Sequence, residues 1–294
     1  DSMRAVLQIP LADTTRVNTL NDLAFALVLS RPDQTEIYAR QALEIAQKVG
    51  FKAGLADAYK QVGTSFWQRS RFVEAMQAYT TALTISREIG DKSLTSSVLN
   101  NIAIVYSRQG KYAEAQSYYF QSLKIAEEIN DKRGMSIVLV NIGGIYFQQG
   151  QYDLALDYNV RALRIAESIG YNSNTAFVLH KIGLILIKQG KVREALEYQE
   201  RAFQTATKAS NPRVIAYSLH GIAAAYQSLG RSDEARHYAE RALDTARSIG
   251  MAAIIKDAAE LLATANAAQG RYKDAYQAHQ LFKQMSDSAQ NLES

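Results

Sequence analysis

Two histidines, His180 and His220, stand 40 residues apart. Imidazole is a common metal ligand and the one side chain that ordinarily changes charge near neutral pH. A metal would want a third ligand of fitting type, and the spacing offers none, so the pair reads as polar lining or a pH-sensitive contact. Cysteine is absent, which removes disulfides and thiolate chemistry and permits an oxidising compartment without demonstrating one. Acidic residues fall at helix-surface spacing. Asp157 with Arg161 and Glu197 with Arg201 are i, i+4 pairs, each stabilising a helix by about 0.3 kcal/mol. Paired carboxylates that work as acid and base need a desolvated pocket to separate their pKa values. The sequence holds no phosphate loop, dinucleotide fingerprint, His-Glu-x-x-His or nucleophile elbow. No catalytic residue, metal or cofactor is expected in this chain.

What positions these side chains is a repeat. The blocks Asp91 to Asn130 and Asp131 to Gly170 nearly copy one another: VLVNIGGIYFQQGQYDLAL follows VLNNIAIVYSRQGKYAEAQ, and RALRIAESIG follows QSLKIAEEIN. A glycine recurs at Gly110, Gly150, Gly190, Gly230 and Gly270, and the block ends at Gly50, Gly90, Asn130, Gly170, Ser210 and Gly250. One 40-residue period with two markers means a tandem array, in which each unit touches its neighbours. Within a unit the apolar residues fall at helical spacing, as in Leu99, Ile102, Ala103 and Tyr106 and then Tyr112, Ala115, Tyr119 and Leu123. Each unit is therefore expected to be two helices. Gly110 and its copies suit a left-handed C-cap, and Asp91 and Asp131 suit N-caps.

Small residues mark where helices approach closely: Ala103, Gly143, Gly183, Ala223 and Ala263 on the first helix, and Ala75, Ala115, Ala155, Ala195, Ala235 and Ala275 on the second. Phe66, Tyr106, Tyr146 and Tyr226, with Phe72, Tyr112, Tyr152 and Tyr272, are expected to fill the adjoining gaps. Tyr118, Tyr158, Tyr198 and Tyr238 are expected to pack between neighbouring units. Formal net charge is +4, from 33 basic and 29 acidic residues with no run of one sign; nucleic acid, which needs a concentrated basic stripe, is not indicated. No apolar run reaches the ~20 residues that span a bilayer. The chain opens at Asp1 rather than Met, so it reads as a processed or excised segment, with any signal peptide or anchor outside it.

The order aliphatic or aromatic, Ile-Gly or Ile-Ala, Tyr, turn glycine, Tyr, Ala, Tyr, Ala resembles the tetratricopeptide repeat in its 40-residue form. The resemblance runs from about Thr15 to about Ser286. It implies an all-α, right-handed solenoid of about seven helix pairs in one domain, 1–294. Residues 1–50 would be a degenerate capping repeat; 51–90, 91–130, 131–170, 171–210 and 211–250 regular repeats; and 251–294 a C-terminal cap with a polar tail. In that family the first helices line a concave groove. Groove candidates are then Trp67, Asn100, Asn101, Ile104, Asn141, Phe147, Phe177, His180, Lys181, Leu184, Tyr217 and His220. One row runs Asp57, Ser97, Ile137, Phe177, Tyr217, Asp257 and the next Lys60, Asn100, Val140, His180, His220, Glu260, polar at the ends and apolar in the middle. The resemblance gives Asn101 and Asn141 the role of holding a peptide main chain; bonding between helices is the other reading. The stretch Thr175 to Lys188, TAFVLHKIGLILIK, is apolar nearly all round, so either a partner covers Phe177, Leu184 and Ile187 or the array buries them itself.

The expected function is protein or peptide binding, with a homodimer left open. The opening DTTRVNTLNDLAFAL and the closing AYQAHQLFKQMSDSAQNLES resemble the flanks of tetratricopeptide sensor regions in Bacteroidetes-type membrane histidine kinases and nucleotide cyclases. That resemblance implies the input domain of a bacterial signalling protein, extracytoplasmic, with a membrane tether and an output domain outside this segment. A freestanding cytoplasmic adaptor or co-chaperone is the alternative.

Overall fold

A computed structural model describes residues 12–28 and 31–293. They form fourteen helices with no strand among the described residues: α1 (Asp13–Leu27), α2 (Pro32–Val49), α3 (Lys52–Gln68), α4 (Phe72–Glu88), α5 (Lys92–Arg108), α6 (Tyr112–Glu128), α7 (Lys132–Gln148), α8 (Tyr152–Ser168), α9 (Asn172–Lys188), α10 (Val192–Lys208), α11 (Pro212–Ser228), α12 (Ser232–Ser248), α13 (Ala252–Ala268) and α14 (Tyr272–Glu293). From α3 to α13 every helix is 17 residues long. Two such helices and their two short turns make the 40-residue period. The fold is an all-α solenoid of helix pairs. No helix among the described residues is long and apolar enough to cross a membrane.

The turns explain the two markers. Gly110, Gly150, Gly190, Gly230 and Gly270 all have φ between 70° and 77°, the left-handed region that a residue without Cβ enters freely. After each, the next amide reaches back to the helix, as in Lys111 N to the Tyr106 carbonyl at 3.0 Å and Arg231 N to the Tyr226 carbonyl at 3.0 Å, closing a Schellman-type end. Ser70 takes the place of this glycine in the first full repeat at φ 59°, and Asn130 and Ser210 do the same at the other turn, at 52° and 49°. The N-caps form as expected: the Asp91 carboxylate accepts from Leu94 N at 2.9 Å and that of Asp131 from Gly134 N at 3.0 Å. Asn211 adds a third, accepting from Val214 N at 3.2 Å.

The chain divides into two compact units, Asp1–Ile145 and Tyr146–Ser294, with the boundary inside α7. In the first unit α1 packs on α2, α3 on α4 and α5 on α6, and each pair packs on the next through α2–α3 and α4–α5. Its core gathers Val62, Phe66, Tyr79, Val98 and Ile102; each large side chain fully buried there contributes about 2 kcal/mol. In the second unit α9–α10, α11–α12 and α13–α14 are the pairs, joined through α8–α9, α10–α11 and α12–α13. Leu219, Leu243 and Leu262 centre its core.

Ala75, Ala115, Ala155, Ala195 and Ala235 are fully buried, as close helix approach requires. Tyr118 packs on the core that holds Val62 and Tyr79 of the preceding repeat, and Tyr238 on one that holds Leu262 of the next, as expected; Tyr118, Tyr158 and Tyr238 also stack on the tyrosine of their own hairpin. Tyr106–Tyr118, Tyr146–Tyr158 and Tyr226–Tyr238 have ring centroids 5.4, 5.3 and 5.5 Å apart, a separation suited to offset aromatic pairs. Tyr272, expected to fill a gap, is 74% exposed, because no helix follows α14 among the described residues to cover it. Arg161 reaches Asp157 at 4.0 Å, but Arg201 pairs with Glu167 of α8 at 3.3 Å, a link between repeats in place of the expected Glu197.

Candidate functional site

In the first unit the first helices of successive repeats, α1, α3, α5 and α7, frame a cleft of about 570 Å³. Three successive repeats line it. α3 contributes Asp57 and Lys60, α5 contributes Ser93, Ser97 and Asn100, and α7 contributes Arg133, Ile137 and Val138. The 40-residue period relates Asp57, Ser97 and Ile137, Lys60 and Asn100, and Ser93 and Arg133. Lys60 and Asp57 form an ion pair at 2.7 Å, with side chains 17% and 30% exposed, and Gln61 donates to the same carboxylate at 3.3 Å. Beneath the cleft Ser96 and Ser122 bond across the α5–α6 seam, the Ser96 hydroxyl meeting the Ser122 carbonyl at 2.9 Å and the Ser122 hydroxyl the Ser96 carbonyl at 2.8 Å. That satisfies both buried hydroxyls within the protein and fixes α5 against its partner helix.

The asparagine row is present and bonded to itself. Asn141 Nδ2 donates to Asn100 Oδ1 at 2.9 Å across α5 and α7, and Asn100 Nδ2 reaches Asn101 Oδ1 at 3.4 Å. Asn101 also bonds the Tyr79 hydroxyl, which donates to Thr64 Oγ1 at 3.0 Å. Burial pushes the Tyr79 phenol up, keeping it neutral. Of the groove candidates in this unit only Asn100 lines the cleft. Ile104 is half-buried. Trp67 is half-buried beneath Arg108, whose guanidinium lies 6.0 Å from the ring centroid, and its Nε1 is buried without a hydrogen-bond partner among the described residues.

In the second unit the corresponding positions are filled by side chains packing on one another. His180 is 2% exposed and Gln199, reaching in from α10, is fully buried. Gln199 Nε2 donates to the His180 carbonyl at 3.1 Å and Gln199 Oε1 meets His180 Nδ1 at 2.9 Å, so Nδ1 carries the proton. The glutamine fits because two glycines clear its path: a Cβ at Gly183 would lie 2.5 Å from the Gln199 amide, and one at Gly221 2.3 Å from it. Burial pushes the His180 imidazole down to about 3, helped by the Lys181 ammonium and opposed by the Gln199 acceptor. His180, expected on a groove wall, is thus a neutral core residue. His220 is half-buried; burial lowers its pKa while the carboxylates of Asp257 and Glu260 act the other way.

The remaining candidates cover each other. Tyr217 stacks on His180 with centroids 5.3 Å apart and meets Phe177 edge-on at 6.4 Å, while Lys181 Nζ lies 5.0 Å over the Phe177 ring. Leu184 and Ile187 are half-buried, and Phe147 packs on Tyr152 at 5.6 Å. Among the described residues no three histidine, aspartate or glutamate side chains gather as a metal site. Asp57, Ser97, Ile137 and Lys60 stand in the rows read from the repeat but not among the groove candidates, which apart from Asn100 line no part of the cleft. Ser93, Arg133 and Val138 stand in neither. The signal for the first two was the same period, read one helical turn toward the N-terminus of each first helix.

A family model described as tetratricopeptide repeat matches residues 71–128, 94–168, 134–208 and 174–248, together more than half of the chain. A search of curated proteins returns no match. Among solved structures, Aspartyl phosphate phosphatase F from Bacillus subtilis is similar with a TM-score of 0.73 at 18% identity, over 93% of this chain and 71% of that one. The apo form of the quorum sensor NprR from B. thuringiensis gives 0.71 at 18% identity, over 97% and 80%. The Rap conjugation gene regulator of the plasmid pLS20, in complex with the Phr* peptide, gives 0.70 at 15% identity, over 94% and 73%. At these identities the likeness is one of fold.

Proposed function

The chain belongs to the tetratricopeptide repeat family, and from that premise we propose that it is a binding scaffold without chemistry of its own, holding an extended peptide or protein segment in the cleft between α3, α5 and α7. The observation that carries this reading is the cleft itself: about 570 Å³ of open volume, lined at matched positions by a charge pair, hydroxyls, an amide and aliphatic side chains. A peptide main chain needs donors and acceptors spaced along its length, and Ser93, Ser97 and Asn100 offer both. Fold neighbours that include a quorum sensor and a regulator bound to a Phr* peptide support a sensory role. With the flanking resemblance, they support an input domain of a bacterial signalling protein; from the flanking resemblance alone we propose that it works outside the cytoplasm.

The test is selection of displayed random 12-residue peptides on the immobilised chain. Peptides should enrich, and Ser97→Trp, which fills the cleft from an exposed position, should abolish their capture while leaving the melting temperature unchanged. No enrichment, or capture indifferent to Ser97→Trp, would overturn the proposal.

A further inference from the structure

A run of hydrogen bonds leads from the cleft into the core of the first unit. Asn141 Nδ2 of α7 donates to Asn100 Oδ1 of α5 at 2.9 Å, Asn100 Nδ2 donates to Asn101 Oδ1 at 3.4 Å, and Asn101 bonds the hydroxyl of Tyr79 on α4. The Tyr79 hydroxyl donates to Thr64 Oγ1 of α3 at 3.0 Å, and the Thr64 hydroxyl donates to the Lys60 carbonyl at 2.9 Å. Asn100 lines the cleft, whereas Thr64, Tyr79, Asn101 and Asn141 do not, and Tyr79 is buried.

The far end fixes the direction of every bond. A carbonyl oxygen only accepts, so the Thr64 proton is committed to Lys60 and the Tyr79 proton to Thr64. The Tyr79 oxygen can then only accept from Asn101, which must turn Nδ2 toward it and Oδ1 toward Asn100. Asn100 is held in turn with Nδ2 on Asn101 and Oδ1 on Asn141. The two ends of an asparagine amide have nearly the same shape, and the neighbours alone decide which end faces which way. Held like this, Asn100 keeps one lone pair on Oδ1 and one hydrogen on Nδ2 beyond those it uses here. In the second unit the equivalent positions include Leu184, Gly221 and Leu261, which interrupt any such run, so the arrangement accompanies the open cleft.

Resting on the peptide-binding reading, we infer that Tyr79 is a positioning residue for the cleft: from its buried place it sets which end of the Asn100 amide turns to α7, and so where Asn100 offers a donor and an acceptor to the ligand. Bonds linked in this way strengthen one another, and removing one loosens the amides beyond it. Tyr79→Phe keeps the ring and deletes the link that carries the direction. Asn101 and Asn100 are then free to turn over, and the ligand has to order the amide itself.

The experiment titrates the tightest peptide from the displayed-peptide selection into the wild-type chain, Tyr79→Phe, Asn100→Ala and the double variant, well below the melting temperature of each. The side-chain amide NMR signals of the asparagines are recorded in the free proteins. Tyr79→Phe should weaken the peptide about fivefold, the worth of one hydrogen bond, and shift the Asn100 amide signal. On the Asn100→Ala background the same substitution should change affinity by less than about twofold, because the group it positions is gone. Thr64→Val, which frees the Tyr79 proton to turn toward Asn101, should act like Tyr79→Phe and replaces it if that variant fails to fold. Should Asn100→Ala bind too weakly to titrate, the shift of the Asn100 signal decides. Unchanged affinity in Tyr79→Phe, an unchanged Asn100 signal, or an equal loss on both backgrounds would overturn the inference and leave the peptide-binding reading standing. Capture of no peptide by the wild type would overturn both.

Discussion

Lys60, Tyr79 and Asn101 in the first unit stand at the same places in the 40-residue repeat as His180, Gln199 and Gly221 in the second, three repeats on. In the first triplet Lys60 pairs with Asp57 at the cleft, while the buried Tyr79 bonds Thr64 and Asn101 through its hydroxyl. The second draws its polar groups inward. Gln199 bonds His180 twice and takes the space that a side chain at Gly221 would fill. Both arrangements need a glycine in the facing helix, since a Cβ at Gly63 would lie 2.7 Å from the Tyr79 ring and one at Gly183 2.5 Å from Gln199. One backbone therefore supports an open polar wall or a sealed one, and the choice is made by a few coordinated substitutions, not by the helices themselves.

Breaking the sealed triplet should have the largest effect. Gln199→Leu removes both bonds to His180 and leaves a buried imidazole N–H unpaired, a loss of about 3 kcal/mol readable by urea unfolding. A loss under about 1 kcal/mol would mean the glutamine is not the second unit's keystone. Next, Gly221→Ala should cost about 2 kcal/mol through overpacking, and the cost should shrink in combination with Gln199→Ala. Strict additivity in that double-mutant cycle would contradict the fit between the two.

A pH effect of about 1 kcal/mol per unit follows from His180. Its folded pKa, about 3, lies below the ordinary value of 6.5, so between these limits the unfolded chain holds the extra proton. The stability is fully present above about pH 6.5 and is lost as pH falls toward 3, with a slope of at most about 1.4 kcal/mol per unit. Urea unfolding at pH 7, 6 and 5 should show a shallower decline for His180→Gln than for wild type; identical slopes would refute the assignment. In the first unit Tyr79→Phe should cost about 1 kcal/mol, the worth of one hydroxyl bond, and no pH dependence should change between 5 and 7.

Much of this was legible in the sequence. The period and the turn glycines gave the helices, and Asp91 and Asp131 gave caps that the structure bears out. Ser70 escaped notice because a serine in the left-handed region carries no mark that distinguishes it from one in a helix. The apolar stretch from Thr175 drew attention as a binding face, yet its Phe177 is covered by Tyr217 and Lys181. Periodicity reports which residues share a place in the repeat and is blind to what reaches in from the other helix of a hairpin. Two broken rows held the clue to Gln199. Tyr79, Tyr119 and Asn159 give way to it in one, and Asn101, Asn141 and Lys181 give way to Gly221 in the other.

The claim that recognition belongs to the open wall is tested most directly by photo-crosslinking. p-Benzoylphenylalanine placed at Ser93, an exposed residue lining the cleft, and in a separate preparation at Tyr217, on the sealed wall, would be irradiated with a peptide selected on the wild-type chain. A crosslink from Ser93 and none from Tyr217 is the expected result. A crosslink from Tyr217 alone would place the ligand on the wall described here as closed and contradict it.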